Sequence, residues 1–98
     1  GPVNYLPPQG AGEMEEMYKP PVPEFQLSKI TVAQGREFVS AEKRNVEILL
    51  CTGGPLRFRE KGSSRTVTVE RGESVIVYAC SPGYSIAGEG RAFKATAP

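Results

Sequence analysis

Histidine, aspartate and tryptophan are all absent from this chain, and the first two absences remove most catalytic chemistry before any motif is sought. Without imidazole there is no Ser-His-Asp or Cys-His nucleophile system and no histidine-ligated metal. Cysteine is nearly as scarce, with Cys51 and Cys80 alone. A zinc site needs about four ligands from Cys, His or carboxylate, so two thiols do not make one. Each cysteine follows an apolar run, Ile48-Leu49-Leu50 or Val75-Ile76-Val77, where a free thiol behaves as a small buried hydrophobe. Both are expected to be reduced. No apolar run approaches the ~20 residues a membrane helix needs, and no basic-then-apolar leader opens the chain. The expectation is therefore a soluble, cytoplasmic chain with no membrane partner. Charge of one sign is lacking too: 12 Lys and Arg stand against 11 acidic residues, and the basic ones are scattered. No nucleic-acid partner is expected.

What is present divides into two parts. In residues 1–23, Pro2, Pro7, Pro8, Pro20, Pro21 and Pro23 remove donors and fix φ, which predicts an extended, partly polyproline-like arm or interdomain linker. Between the proline groups, residues 13–18 read as a solvated acidic linker or at most one helical turn. Residues 24–98 change to short runs of period two between Gly-rich turns, with no helical stripe, so this part is read as one all-β domain. Leu56-Arg57-Phe58-Arg59 and Thr66-Val67-Thr68-Val69 alternate as half-buried strands do. Residues 46–51 and 75–78 are apolar on both faces and are predicted to form the sandwich centre, under a second layer. Phe25 and Leu27 are out of phase with Ile30 and Val32, which predicts a bulge or a sheet crossing at Ser28-Lys29. Seven or eight strands about ten residues apart indicate a β-sandwich or small barrel.

No catalytic, cofactor-binding or metal-ligating residue is assigned. Glu15-Glu16 lie in the arm, while Glu47, Glu70, Glu73 and Glu89 fall at outward or turn positions and read as solvated surface. Gly53-Gly54 and Gly88-Glu89-Gly90 lack the following helix that a phosphate cradle requires, and read as hairpin turns. Tyr78 and Tyr84 sit near strand ends, where a ring packs its body inside and leaves its hydroxyl wet, or offers a stacking face to a sugar.

Several stretches taken together carry a likeness: Pro20-Pro21-Val22-Pro23-Glu24-Phe25-Gln26-Leu27-Ser28-Lys29-Ile30, Ile48-Leu49-Leu50-Cys51-Thr52-Gly53-Gly54, the run from Arg71 to Ala79, and Tyr84 to Gly90 leading into Phe93-Lys94-Ala95. In this order they resemble the C-terminal domain of type I mannose-6-phosphate isomerases. The resemblance implies a cupin-like jelly-roll β-sandwich or barrel with an extended Pro-rich N-terminal arm. It also implies a place at the end of a zinc enzyme that interconverts mannose 6-phosphate and fructose 6-phosphate. In that family the zinc ligands and the catalytic groups lie in the upstream domain, so no functional residue carries over to a position here. Catalytic cupins place a histidine after the turn where this chain has Pro82-Gly83-Tyr84. The implied partners are the upstream catalytic domain of the same polypeptide and, for the parent, a hexose 6-phosphate. The fragment itself is expected to hold no cofactor and to be inactive alone. The alternative is a free-standing, metal-free module that binds carbohydrate through Tyr78 or Tyr84, or one that self-associates along a strand edge.

Overall fold

The computed structural model describes residues 9–10, 14–18 and 25–97. The proline groups of the arm and Tyr5 lie outside the described residues. Among the described residues every regular element is a strand: β1 (Gln9–Gly10), β2 (Glu15–Tyr18), β3 (Gln26–Val32), β4 (Phe38–Val39), β5 (Glu47–Gly53), β6 (Leu56–Glu60), β7 (Val67–Val69), β8 (Ser74–Val77), β9 (Tyr84–Gly88) and β10 (Gly90–Thr96). They form two antiparallel sheets, one ordered β1-β2-β3-β10-β5-β8 and the other β4-β9-β6-β7. The all-β expectation holds.

The core lies between the sheets. Ile30, Val32, Leu49, Cys51 and Ala92 point inward from the larger sheet and meet Phe38, Leu56, Phe58, Val69 and Ile86 from the smaller one. Period-two alternation explains each of these placements, because in a strand every second side chain faces the same layer. Leu56 and Phe58 are buried while Arg57 and Arg59 are exposed, as their sequence pattern predicts.

The last strand closes the fold by inserting between β3 and β5, pairing Ala92 with Ile30 on one side and with Cys51 on the other. Its entry depends on two glycines. Gly88 has a φ of +112°, and a Cβ there would come within 2.7 Å of the Pro55 carbonyl oxygen. At Gly90 a Cβ would overlap the carbonyl of Gly53. Gly88-Glu89-Gly90 is thus a corner where two backbones touch, which is a stronger requirement than a hairpin turn.

Three expectations are corrected. Residues 15–18 are neither a helical turn nor a solvated linker; they form β2, paired with Leu27 to Ile30 of β3. There is no slip at Ser28-Lys29, since β3 alternates regularly and pairs with β2 and β10 without a shift. Ser28 is itself an inward, buried residue, and Phe25 and Leu27 lie on the outer side. The apolar pattern breaks because the interior turns polar there, not because the strand bulges. The irregularity that does occur lies between Arg91 and Ala92 on β10. Finally, β8 is an edge strand rather than part of the centre, and Ile48, Leu50 and Ile76 on the outer face remain substantially exposed.

Candidate functional site

The polar interior at Ser28 is one link in a chain of charged groups sealed between the sheets. Strand parity builds it. Glu15 on β2, Ser28 on β3, Lys94 on β10 and Glu47 on β5 all project from the inner face of the larger sheet, and Tyr84 faces them from β9. Lys94 Nζ donates to Glu15 Oε2 at 2.6 Å and lies 3.5 Å from Glu47 Oε2. Ser28 Oγ donates to the same Glu15 oxygen at 2.9 Å. The Tyr84 hydroxyl donates to Glu47 Oε1 at 2.6 Å.

Arg44 closes the chain. Its Nε lies 3.9 Å from Glu47 Oε1 and has no hydrogen-bond partner, although its side chain is 3% exposed. Its Nη2 donates to the carbonyls of Ser81 and Pro82 at 2.9 and 2.8 Å, which clamps the β8–β9 connection onto the start of β5. Two carboxylates and two cations therefore balance, and each acid has at least two charged or hydroxyl neighbours. A buried charge survives only when it is paired and hydrogen-bonded in this way.

Tyr84 is buried. Its ring lies 6.4 Å from that of Phe38 and 6.0 Å from that of Phe58, and the Arg44 guanidinium sits 5.6 Å from its centre. Burial, and next the hydrogen bond to Glu47, push its hydroxyl well above the ordinary phenol range. The hydroxyl expected to be wet is instead committed to a carboxylate. Tyr78, by contrast, is 61% exposed. It lines a groove of about 410 Å³ between β7 and β8, together with Phe58, Val67, Ile76 and Tyr84 and the charged Arg59 and Arg65. The lining of that groove does not include Glu47, Lys94 or Glu15. A sugar stacking here would have Tyr78 as its open aromatic face.

Sequence reasoning missed this cluster. Glu47 was expected on the surface and is 3% exposed, and Glu15, expected in a solvated arm, packs against Lys94. Glu70, Glu73 and Glu89 are exposed. The signal lay in parity: Glu47 shares its face with Leu49 and Cys51, Ser28 with Ile30, and Lys94 with Ala92.

The arrangement resembles an acid–base site in composition, but both carboxylates, the lysine and the tyrosine hydroxyl are engaged with one another. The donor set also does not fit zinc. Among the described residues no three His, Cys, Asp or Glu side chains cluster as metal ligands. Both interior carboxylates already face a lysine or arginine. Cys51 and Cys80 are free thiols, the first buried and the second exposed, so burial as a small hydrophobe applies to Cys51 alone. Burial pushes the Cys51 thiol up, away from the reactive thiolate.

No protein-family model matches the sequence, and no curated protein matches it. Solved structures do match in fold. Alanine mutants of phosphomannose isomerase from Salmonella typhimurium align with TM-scores of 0.77 and 0.79, at 23% and 22% identity, over 92% and 95% of this chain. A third aligns over 97% of the chain at 20% identity, with a TM-score of 0.77. The chain spans 22–23% of the length of those proteins.

Proposed function

We propose that this chain is the C-terminal, metal-free cupin-like jelly-roll domain of a larger mannose-6-phosphate isomerase, with residues 24–98 as the domain and residues 1–23 as the connection to the rest. The observation that carries the reading is the fold match over nearly the whole chain to a phosphomannose isomerase more than four times longer. The order of motifs from Pro20 to Ala95 supports it independently. On this reading the zinc and the groups that interconvert mannose 6-phosphate and fructose 6-phosphate belong upstream, and the parent is cytoplasmic.

The chemistry of the interior supports a structural role. In a catalytic barrel of this kind the inner groups must remain open to a ligand, whereas here Lys94, Glu47 and Tyr84 engage one another and the Arg44 guanidinium balances Glu47 from 3.9 Å. Such a network costs desolvation and returns a fixed alignment of strands. It ties β2, β10, β5 and the β8–β9 connection together, and so holds the leading segment in one place relative to the domain. The Glu15–Tyr18 strand is thus the part of the connection that is laid on the sheet.

The test is metal analysis together with a coupled isomerase assay on the purified chain. No stoichiometric zinc and no turnover of mannose 6-phosphate are expected. Turnover accompanied by bound zinc contradicts the proposal. The module reading, favoured by the exposed Tyr78 at the groove, predicts instead saturable hexose binding that Tyr78→Ala abolishes.

A further inference from the structure

The two outer faces of the sandwich differ in kind. On the smaller sheet, β6 presents Arg57 and Arg59 to water, beside Ser85 and Ala87 of β9. On the larger sheet, cross-strand pairing sets Leu27 beside Ala95, Ala95 beside Ile48, and Ile48 beside Ile76. This is one unbroken apolar row across four strands, spanning roughly 15 Å at the usual strand spacing. The next row places Phe93 beside Leu50, with Lys29 and Ser74 at its two ends. Ile48, Leu50 and Ile76 are 50%, 41% and 54% exposed. A polar rim follows, where Lys29 Nζ pairs with Glu16 Oε2 at 3.3 Å on the β2 side. An apolar centre with a charged border is how an interface differs from ordinary surface.

Resting on the domain reading above, we infer that this outer face, centred on Ile48, Leu50, Ile76 and Phe93, is where the rest of the longer polypeptide packs, through an apolar surface of its own. The alternation of β5 carries the argument. Glu47, Leu49 and Cys51 are committed to the interior, yet Ile48 and Leu50 between them are apolar as well. Strands read this way when both their faces are covered, and the described residues cover one.

Ile76, at the β8 end of this row, also lines the groove beside Tyr78, whereas Ile48, Leu50 and Phe93 lie outside its lining, and a broad apolar strand face of this kind suits a protein layer. What lies beyond the chain decides between a tethered layer and a second copy. The solved isomerases that it matches leave more than three quarters of their length outside the matched part, whereas a stable complex of separate chains has to bury roughly 20–30 residues per partner. A surface carried on the same polypeptide needs no such area, because the tether supplies an effective concentration in the millimolar range.

The test uses Ile48→Lys and Leu50→Glu in this chain and in the protein encoded by the full reading frame that contains it, with Leu49→Ala as the interior control. In the isolated chain the two outer variants are expected to leave the unfolding midpoint unchanged, while Leu49→Ala lowers it. In the longer protein the outer variants are expected to lower the midpoint by several degrees. They should also raise amide exchange along β5 and β8 to the rate seen in the isolated chain. A longer protein indifferent to both outer variants overturns this inference and leaves the domain reading standing. A reading frame confined to this chain overturns the domain reading and the inference with it. Sedimentation of the isolated chain as a dimer that Ile48→Lys dissociates would assign the face to a second copy, and that also overturns the inference.

Discussion

Replacing Lys94 by methionine is the sharpest probe of the interior. Methionine keeps roughly the length of the side chain and removes its charge, so Glu15 and Glu47 lose the cation they share. Lys94 is 13% exposed at the side chain, with Glu15 at 14% and Glu47 at 5%. Breaking a buried ion pair by removing one partner costs about 3–5 kcal/mol, because the remaining charge stays desolvated. A domain of this size has about 5–15 kcal/mol in total. At about 4–8 °C per kcal/mol, the midpoint should fall on the order of 12–40 °C. Thermal and urea unfolding followed by far-ultraviolet circular dichroism and tyrosine fluorescence measure this directly in a chain without tryptophan.

Two companion variants sharpen the same prediction. Lys94→Met combined with Glu15→Gln is expected to be more stable than Lys94→Met alone, since one stranded charge has been removed. Lys61→Met is the surface control. Its pair with Glu42 is short, at 2.7 Å, but both side chains are largely exposed, and the midpoint should stay where it is. A loss for Lys94→Met below about 1 kcal/mol, the range of exposed ion pairs, refutes the claim that this network is a buried one.

Tyr84→Phe keeps the ring packing and removes a hydroxyl bonded to a carboxylate, so a loss of about 1.5–3 kcal/mol is expected by the same unfolding assay. Because the Tyr84 hydroxyl is raised in the folded state, its contribution is complete below the unfolded tyrosine value near ~10 and is lost as pH rises above it. Stability should therefore fall in alkali, less so in Tyr84→Phe, and tyrosinate absorbance should show one tyrosine ionising only as the chain unfolds. Thiol labelling of the native protein should modify Cys80 and spare Cys51 until denaturant is added. Gly90→Ala should destabilise by about 1–3 kcal/mol, since its methyl must displace the Gly53 carbonyl at the corner leading into β10.

The strands with clean alternation were legible in the sequence. Leu56-Arg57-Phe58-Arg59 is buried and exposed in turn as its pattern demands, and the glycine corners stand where strands end. The misreadings at Ser28, Glu47 and Glu15 share one physical cause. Pattern reading treats polarity as a proxy for exposure, and this interior is polar at one end. Ser28 therefore looked like a slip in register, and Glu47 and Glu15 like surface, when each is inward by parity and stabilised by partners distant in sequence. The opposite error occurred at Ile48 and Ile76, whose apolar character suggested a covering layer, while both are about half exposed among the described residues. Strand β2 was hidden for a third reason. Its four residues have no apolar stripe of their own, and pairing with β3 rather than local propensity makes them a strand.

The most direct measurement of the central claim, an interior committed to its own ion pairs and closed to ligands, is the nitrogen-15 resonance of the Lys94 ammonium. The account predicts a signal protected from solvent exchange, lost in Lys94→Met and unmoved when zinc or mannose 6-phosphate is added in excess. A shift of that signal on adding either one would mean that the network opens to a ligand, and the structural role argued for this domain would be contradicted.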